Sequence, residues 1–168
     1  MTDTQQMVVT AWRTSHRATR FLVERIPPDL WSAAIPGVPR RTVRSIAAHI
    51  HNARCRWIRT LGREHGIESP AMVSPHSVTR RQLAAALEKS SRGMESLLRL
   101  AFANGGTIPP AKAYVWRNLP LDAGHFLAYF AAHEGHHRGQ IVLAARQLGK
   151  RLPASVTGGL WQFRTFAR

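Results

Sequence analysis

Two histidines stand one helical turn apart near the C-terminus, in the middle of a stripe that is otherwise apolar. No other feature constrains the fold as tightly. The run reads His133-Glu134-Gly135-His136-His137-Arg138-Gly139-Gln140-Ile141. At about 100° per residue, Phe126, Phe130, His133, His137, Ala144 and Leu148 fall within roughly 60° of one another on one helix face. A side meant for a hydrophobic neighbour therefore carries two imidazoles at its centre. Burying polar rings costs free energy unless each finds a partner. A metal ion satisfies both at once, but two ligands are too few to hold one. The missing ligand has to come from another element packed against this face.

Helix signals fill the rest of the chain and no period-2 strand pattern appears. A first helix is expected from Thr4 to Ile26, with Val8, Ala11, Trp12, Leu22 and Ile26 on its apolar side, stopped by Pro27-Pro28. A second runs from Thr42 to His65 with the stripe Val43, Ile46, Ile50, Ala53, Trp57 and Leu61. A third, Thr79 to Phe102, opens with Thr79 and Gln82 at capping-box spacing and carries Leu83, Leu87, Met94, Leu97 and Ala101. After a long connection from Thr107 to Pro120, the fourth runs from Leu121 to Leu148, with Gly149 as its C-cap. Four amphipathic helices predict an all-α four-helix bundle with a long crossover. The 168 residues fit one domain, 1–168. A tail at 153–168 carries Leu160, Trp161, Phe163 and Phe166, to dock on the bundle or on a second subunit.

Composition narrows the function classes. No apolar run approaches the ~20 residues needed to span a bilayer, and the opening MTDTQQMVVTAWRTSHR has no signal-peptide core. One cysteine, Cys55, makes no internal disulfide and suits a reducing compartment. The expectation is a cytoplasmic protein without a membrane partner. With 24 Lys+Arg against 9 Asp+Glu, the formal charge is +15, which raises nucleic acid as a partner. The arginines are spread along the whole chain, however, with no basic arm and no recognition-helix pattern. They read as a solvated basic surface.

Two known metal motifs run short of ligands in this chain. His133-Glu134-Gly135-His136-His137 matches H-E-x-x-H, in which the Glu is a general base. Such sites take a further ligand downstream, and nothing after His137 is Asp, Glu or His. A carboxylate-bridged di-iron site needs two E-x-x-H pairs and two more Glu residues; Glu134 and His137 form the only such pair. Glu134 therefore reads first as a solvated or ion-paired residue and second as a candidate base. His136 points about 100° from His137 and suits a pocket position, with Gln140 and Tyr129 on the same side. The third ligand lies upstream, in the second helix, where His49 and His51 flank the stripe on opposite sides. Periodicity does not choose between them.

The pattern of His49-Ile50 with Trp57, then His133-x-x-x-His137-Arg138-Gly139-Gln140-Ile141 and Arg146-Gln147-Leu148-Gly149 leading to Leu152-Pro153, resembles the DinB/YfiT-like superfamily over essentially the whole chain. The resemblance implies a four-helix bundle with one divalent metal, zinc or nickel, on three histidines. Matched residue by residue, these are His49, His133 and His137. It also implies pairing of subunits into a homodimer. Relatives include transferases and isomerases that use low-molecular-weight thiols such as bacillithiol or mycothiol. Three protein ligands leave a coordination position for water or a substrate atom. The expected function is a metal-dependent enzyme acting on a small molecule, either a small-thiol-dependent transferase or a hydrolase. The alternatives are a non-catalytic metal-binding stress-response bundle and a basic nucleic-acid-associated protein.

Overall fold

Side chains that close the backbone set the helix ends. The computed structural model describes residues 2–115 and 118–168, so Trp116 in the 107–120 connection lies outside them. Helix α1 (Asp3–Arg25) starts on a capping box made by Thr2 and Gln5. A single turn, α2 (Pro28–Trp31), follows the proline stop. Helix α3 (Val43–Gly62) opens on a Thr42–Ser45 box, and α4 (Arg80–Ala103) on the Thr79–Gln82 box read from the sequence. Each cap is worth about 1 kcal/mol.

Two helix ends differ from the expected bounds by more than one residue, each for a local reason. Helix α3 stops at Gly62, and 63–65 tighten into a 3-10 turn before Gly66. Helix α5 (Ala123–Gln147) starts two residues late because Asp122 is its N-cap, accepting from the His125 backbone N–H at 3.0 Å. Gly149, with φ 69°, terminates α5 in the left-handed region that favours glycine.

Helices α1 and α3 each pack against both α4 and α5, so the four long helices form a bundle with α1 diagonal to α3. The 26–42 and 104–122 connections cross over and are pinned by the isolated bridges Ala34–Thr42 and Thr107–Asp122. Trp31 anchors the first crossover by donating its indole N–H to the Val78 carbonyl at 3.0 Å. Helices α3 and α4 approach closely at Gly93, where an added Cβ would stand 2.6 Å from Ile58 Cδ1. The tail folds back on its own bundle through α6 (Ala154–Thr157), a 3-10 turn and α7 (Phe163–Phe166). Phe166 packs edge-on against Phe21, and Arg17 donates to the Phe166 carbonyl. No helix among the described residues is long and apolar enough to cross a membrane.

The interior divides into two apolar clusters. One gathers Leu22, Ile26, Trp31, Ile46, Ile50, Leu87 and Ile141; the other gathers Trp12, Ile58, Leu61, Met94, Leu97, Phe126 and Phe130. Of the expected stripes, α4 is buried at every predicted position, whereas Ala11 on α1 is exposed. A third group of buried side chains, Thr19, His51, Arg54, Ser90 and Glu134, is polar and fully sequestered from solvent.

Candidate metal centre

The residue before the histidine pair's second turn does not behave as a surface group. Glu134 is fully buried, and its carboxylate meets the equally buried Arg54 in a bidentate pair, both contacts at 2.7 Å. Thr19 Oγ1 donates to the same carboxylate at 2.8 Å and itself accepts from Arg138 at 2.8 Å. Burial opposes ionisation of Glu134, but the Arg54 charge and these hydrogen bonds outweigh it and hold its pKa below the ordinary value. Arg54 also donates to the Leu87 carbonyl and to His16 Nδ1, both at 3.2 Å. Since Arg54 only donates, His16 Nδ1 is the acceptor, and its Nε2–H faces Glu88 at 3.0 Å. Of the two readings of Glu134, solvated or ion-paired, the structure shows the ion pair. Both of its oxygens accept from internal donors, Arg54 and Thr19. Sequence reasoning missed Arg54, although its spacing of four from both Ile50 and Ile58 put a charge on a buried face.

One residue along, the same helix carries a different arrangement. His133 and His137 of α5 converge with His49 of α3, and the ligand-capable atoms of all three rings lie within 4.8 Å of one another. The contacts run through equivalent atoms: His49 Nε2 to His133 Nε2 at 3.3 Å, and His137 Nε2 to His133 Nε2 at 3.2 Å. His49 is therefore the upstream histidine that joins the pair. His51 turns the other way, with Nδ1 at 3.0 Å from Ser90 Oγ and Nε2 at 3.0 Å from the Ala71 carbonyl. Cys55 is buried against His51, and burial pushes its thiol pKa up.

The three Nε2 atoms cannot satisfy one another. A neutral imidazole nitrogen is either donor or acceptor, and His137 is already assigned. Gln140 Oε1 lies 2.9 Å from His137 Nδ1 and 3.4 Å from Arg41 Nη2. Because Arg41 only donates, the amide atom between them is the oxygen, so His137 carries its proton on Nδ1 and presents a lone pair at Nε2. His133 then has one Nε2 proton at most for two neighbours, and its buried Nδ1 has no partner. A cation accepting three lone pairs resolves this. Tetrahedral coordination at 2.0–2.1 Å separates nitrogen ligands by about 3.3–3.4 Å, close to the two separations found. The residues present fit a divalent transition ion.

Electrostatics keep the rings neutral, as ligation requires. Burial, then the neighbouring imidazoles His137 and His133, then Arg41 and Arg56 lower the His49 pKa to about 4. Burial is also the main cause of the lowered values of His133 and His137. Around the cluster, the Tyr129 ring stacks parallel to His133 with centroids 6.1 Å apart, and exposed His136 places Nε2 at 2.8 Å from Gln140 Nε2. Gln140 thus spans His136 and His137. His49 and His133 are partly exposed and His137 is buried, so the cluster is not sealed from solvent.

The family model described as DinB family matches residues 1–160. No curated protein matches the chain.

Proposed function

Because the chain belongs to the DinB family, we propose that it is a divalent-metal-dependent enzyme whose ion is held by His49, His133 and His137. The observation that carries this reading is the meeting of three Nε2 atoms at 3.2 and 3.3 Å with too few protons to bond one another. Zinc and nickel suit three neutral imidazoles. When bound, such an ion supplies Lewis acidity and a coordination position for water or a substrate atom. The chain's own residues do the rest. Gln140 holds the His137 ring in the tautomer that presents Nε2, and Tyr129 and His136 border the cluster. Glu134 stays out of proton transfer, since Arg54 and Thr19 occupy its oxygens.

The reaction class within this reading is a small-thiol-dependent transfer or a hydrolysis on a small molecule. Exposed Leu143, Trp161 and Phe163 border one cleft and offer apolar surface for a homodimer. Metal content is the deciding experiment. Purified protein should carry one equivalent of a divalent transition metal by mass spectrometry, and His133→Ala, His137→Ala and His49→Ala should each lose it. A wild type that neither retains nor can be reconstituted with such a metal would refute the assignment. Cobalt substitution then separates an enzyme from a structural metal site: the visible spectrum should change on adding azide or cysteine if a coordination position is open.

A further inference from the structure

The crossover that precedes α3 forms a second feature beside the histidines. A cavity of about 240 Å³ lies between the 35–41 segment and α5, lined by Ile35, Pro36, Val38, Arg41, Gln140 and Leu143 among others. Its walls are apolar except where Arg41, Gln140 and Gln147 enter. The Arg41 guanidinium lies 3.4 Å from Gln140 Oε1, and that oxygen is 2.9 Å from His137 Nδ1. One amide side chain therefore separates the cation from the cluster.

Arg41 is held by a neutral oxygen, as are Arg80 and Arg138, which donate to the Ile26 carbonyl and to Thr19 Oγ1, but of these three only Arg41 lines this cleft. Arg13, Arg20, Arg54, Arg92 and Arg99 all have carboxylate partners. Among the described residues, none lies within ion-pair distance of Arg41. The nearest buried acid, Glu134, is already neutralised by Arg54. Nor is Arg41 a free surface chain on a loose loop. Its carbonyl accepts from the Ile35 N–H at 2.8 Å, the Ala34–Thr42 bridge closes the segment behind it, and Thr42 caps α3. Arg40 beside it takes φ 60°, a left-handed conformation uncommon outside glycine. Arg56, exposed on α3 two turns beyond His49, adds a second positive charge that acts on His49.

We propose that this cleft is the substrate's anion subsite, with Arg41 binding a carboxylate or phosphate group and the apolar walls taking the attached carbon skeleton. The inference rests on the metal-dependent reading of the neighbouring histidines. A guanidinium without a carboxylate partner at the polar end of an apolar cleft selects a small amphiphilic anion: charge-assisted hydrogen bonds orient it and the walls bury its body. Arg41 is then a binding residue that places the rest of the substrate against the cluster.

Calorimetric titration tests the assignment with benzoate, phenyl phosphate and neutral benzamide as probes, on protein as purified and after chelation. Both metal states should bind at least one anion, with benzamide at least tenfold weaker. Which of the two anions binds tighter separates a carboxylate subsite from a phosphate subsite. Arg41→Gln should weaken the anion about tenfold or more, and Arg41→Lys should retain part of the affinity. Metal content and the far-ultraviolet circular dichroism spectrum should stay as in the wild type. The subsite is refuted if Arg41→Gln binds as the wild type does, if benzamide binds equally, or if neither anion binds. Benzoate binding that needs the metal and ignores Arg41→Gln would place the anion on the ion instead, and also refutes the subsite. Failure of the metal assignment is read separately, from a wild type without metal, because the chelated protein still reports on Arg41.

Discussion

Two polar groups meet back to back on α5, and they differ in how completely they are satisfied. Around Glu134, every charged member has its complement: Arg54 is bidentate to the carboxylate, Thr19 and Arg138 close one side, and His16 links Arg54 to Glu88. Around His133, three rings of the same kind face one another with no counter-charge in contact and one buried nitrogen unpartnered. The first arrangement is complete without any added ligand. The second is unfavourable as it stands and becomes favourable when a cation accepts the lone pairs. Polar burial alone therefore does not mark a functional site; three like rings that meet without a complement are what fit an added cation.

The contrast breaks most directly through stability. Arg54→Met leaves Glu134 buried and uncompensated and should cost about 3–5 kcal/mol. The double variant Arg54→Met/Glu134→Leu should recover most of that. His133→Leu in metal-free protein removes no partner that another group needs, and should change stability by less than about 1 kcal/mol. Urea unfolding at neutral pH reads all three. Equal costs for Arg54→Met and His133→Leu would erase the distinction drawn above.

Acid offers the next test. Burial first, and the Arg54 charge second, lower the His16 pKa from 6.5 to about 4 in the folded protein. Between those values the unfolded chain holds a proton that the folded chain does not, so stability falls as pH drops from about 6.5 toward 4. The full effect is roughly 3 kcal/mol for a buried ring. His16→Gln can still donate to Glu88 and accept from Arg54, and it should flatten this part of the profile. Identical pH slopes for the wild type and His16→Gln would show that His16 is not neutral inside the bundle.

Much of this was legible in the chain before any coordinates, and the remainder was hidden for a physical reason. Helix positions follow from local chemistry: the Thr79–Gln82 box and the stripe Leu83, Leu87, Met94, Leu97 and Ala101 appear as read. The His133–His137 pair was visible because one turn of helix superposes them. His49 and His51 were not separable by periodicity, since both flank the stripe and only the position of α4 decides which turns inward to Ser90. The Arg54–Glu134 pair joins residues eighty apart, and its meaning depends on which helices are neighbours. A lone Glu beside two histidines resembles a catalytic base until the arginine across the bundle is known.

Metal addition should act on one polar group and leave the other untouched. A ligand that binds only the folded state stabilises it by about 3 kcal/mol when its free concentration is a hundredfold above Kd. Zinc or nickel should therefore raise the melting temperature of metal-free wild type and of Arg54→Met alike, and should leave His137→Ala unchanged. A comparable rise in His137→Ala would mean that the ion binds elsewhere.

The smallest effect reports on how the cluster is held. Gln140 Oε1 accepts from His137 Nδ1, which commits the ring to presenting Nε2, and its amide nitrogen faces His136. Partners of this kind change metal affinity by about 10–100-fold when removed. Gln140→Ala should weaken zinc binding by that factor in a chelator competition, with the folding stability of the metal-free protein nearly unaltered. Gln140→Glu keeps an oxygen opposite Nδ1 and places a charge beside Arg41, so it should hold zinc at least as tightly as the wild type. Equal affinity in Gln140→Ala and wild type would mean that the metal selects the His137 tautomer unaided. Gln140 would then belong with Arg41 to the wall of the neighbouring cleft rather than to the support of the histidines.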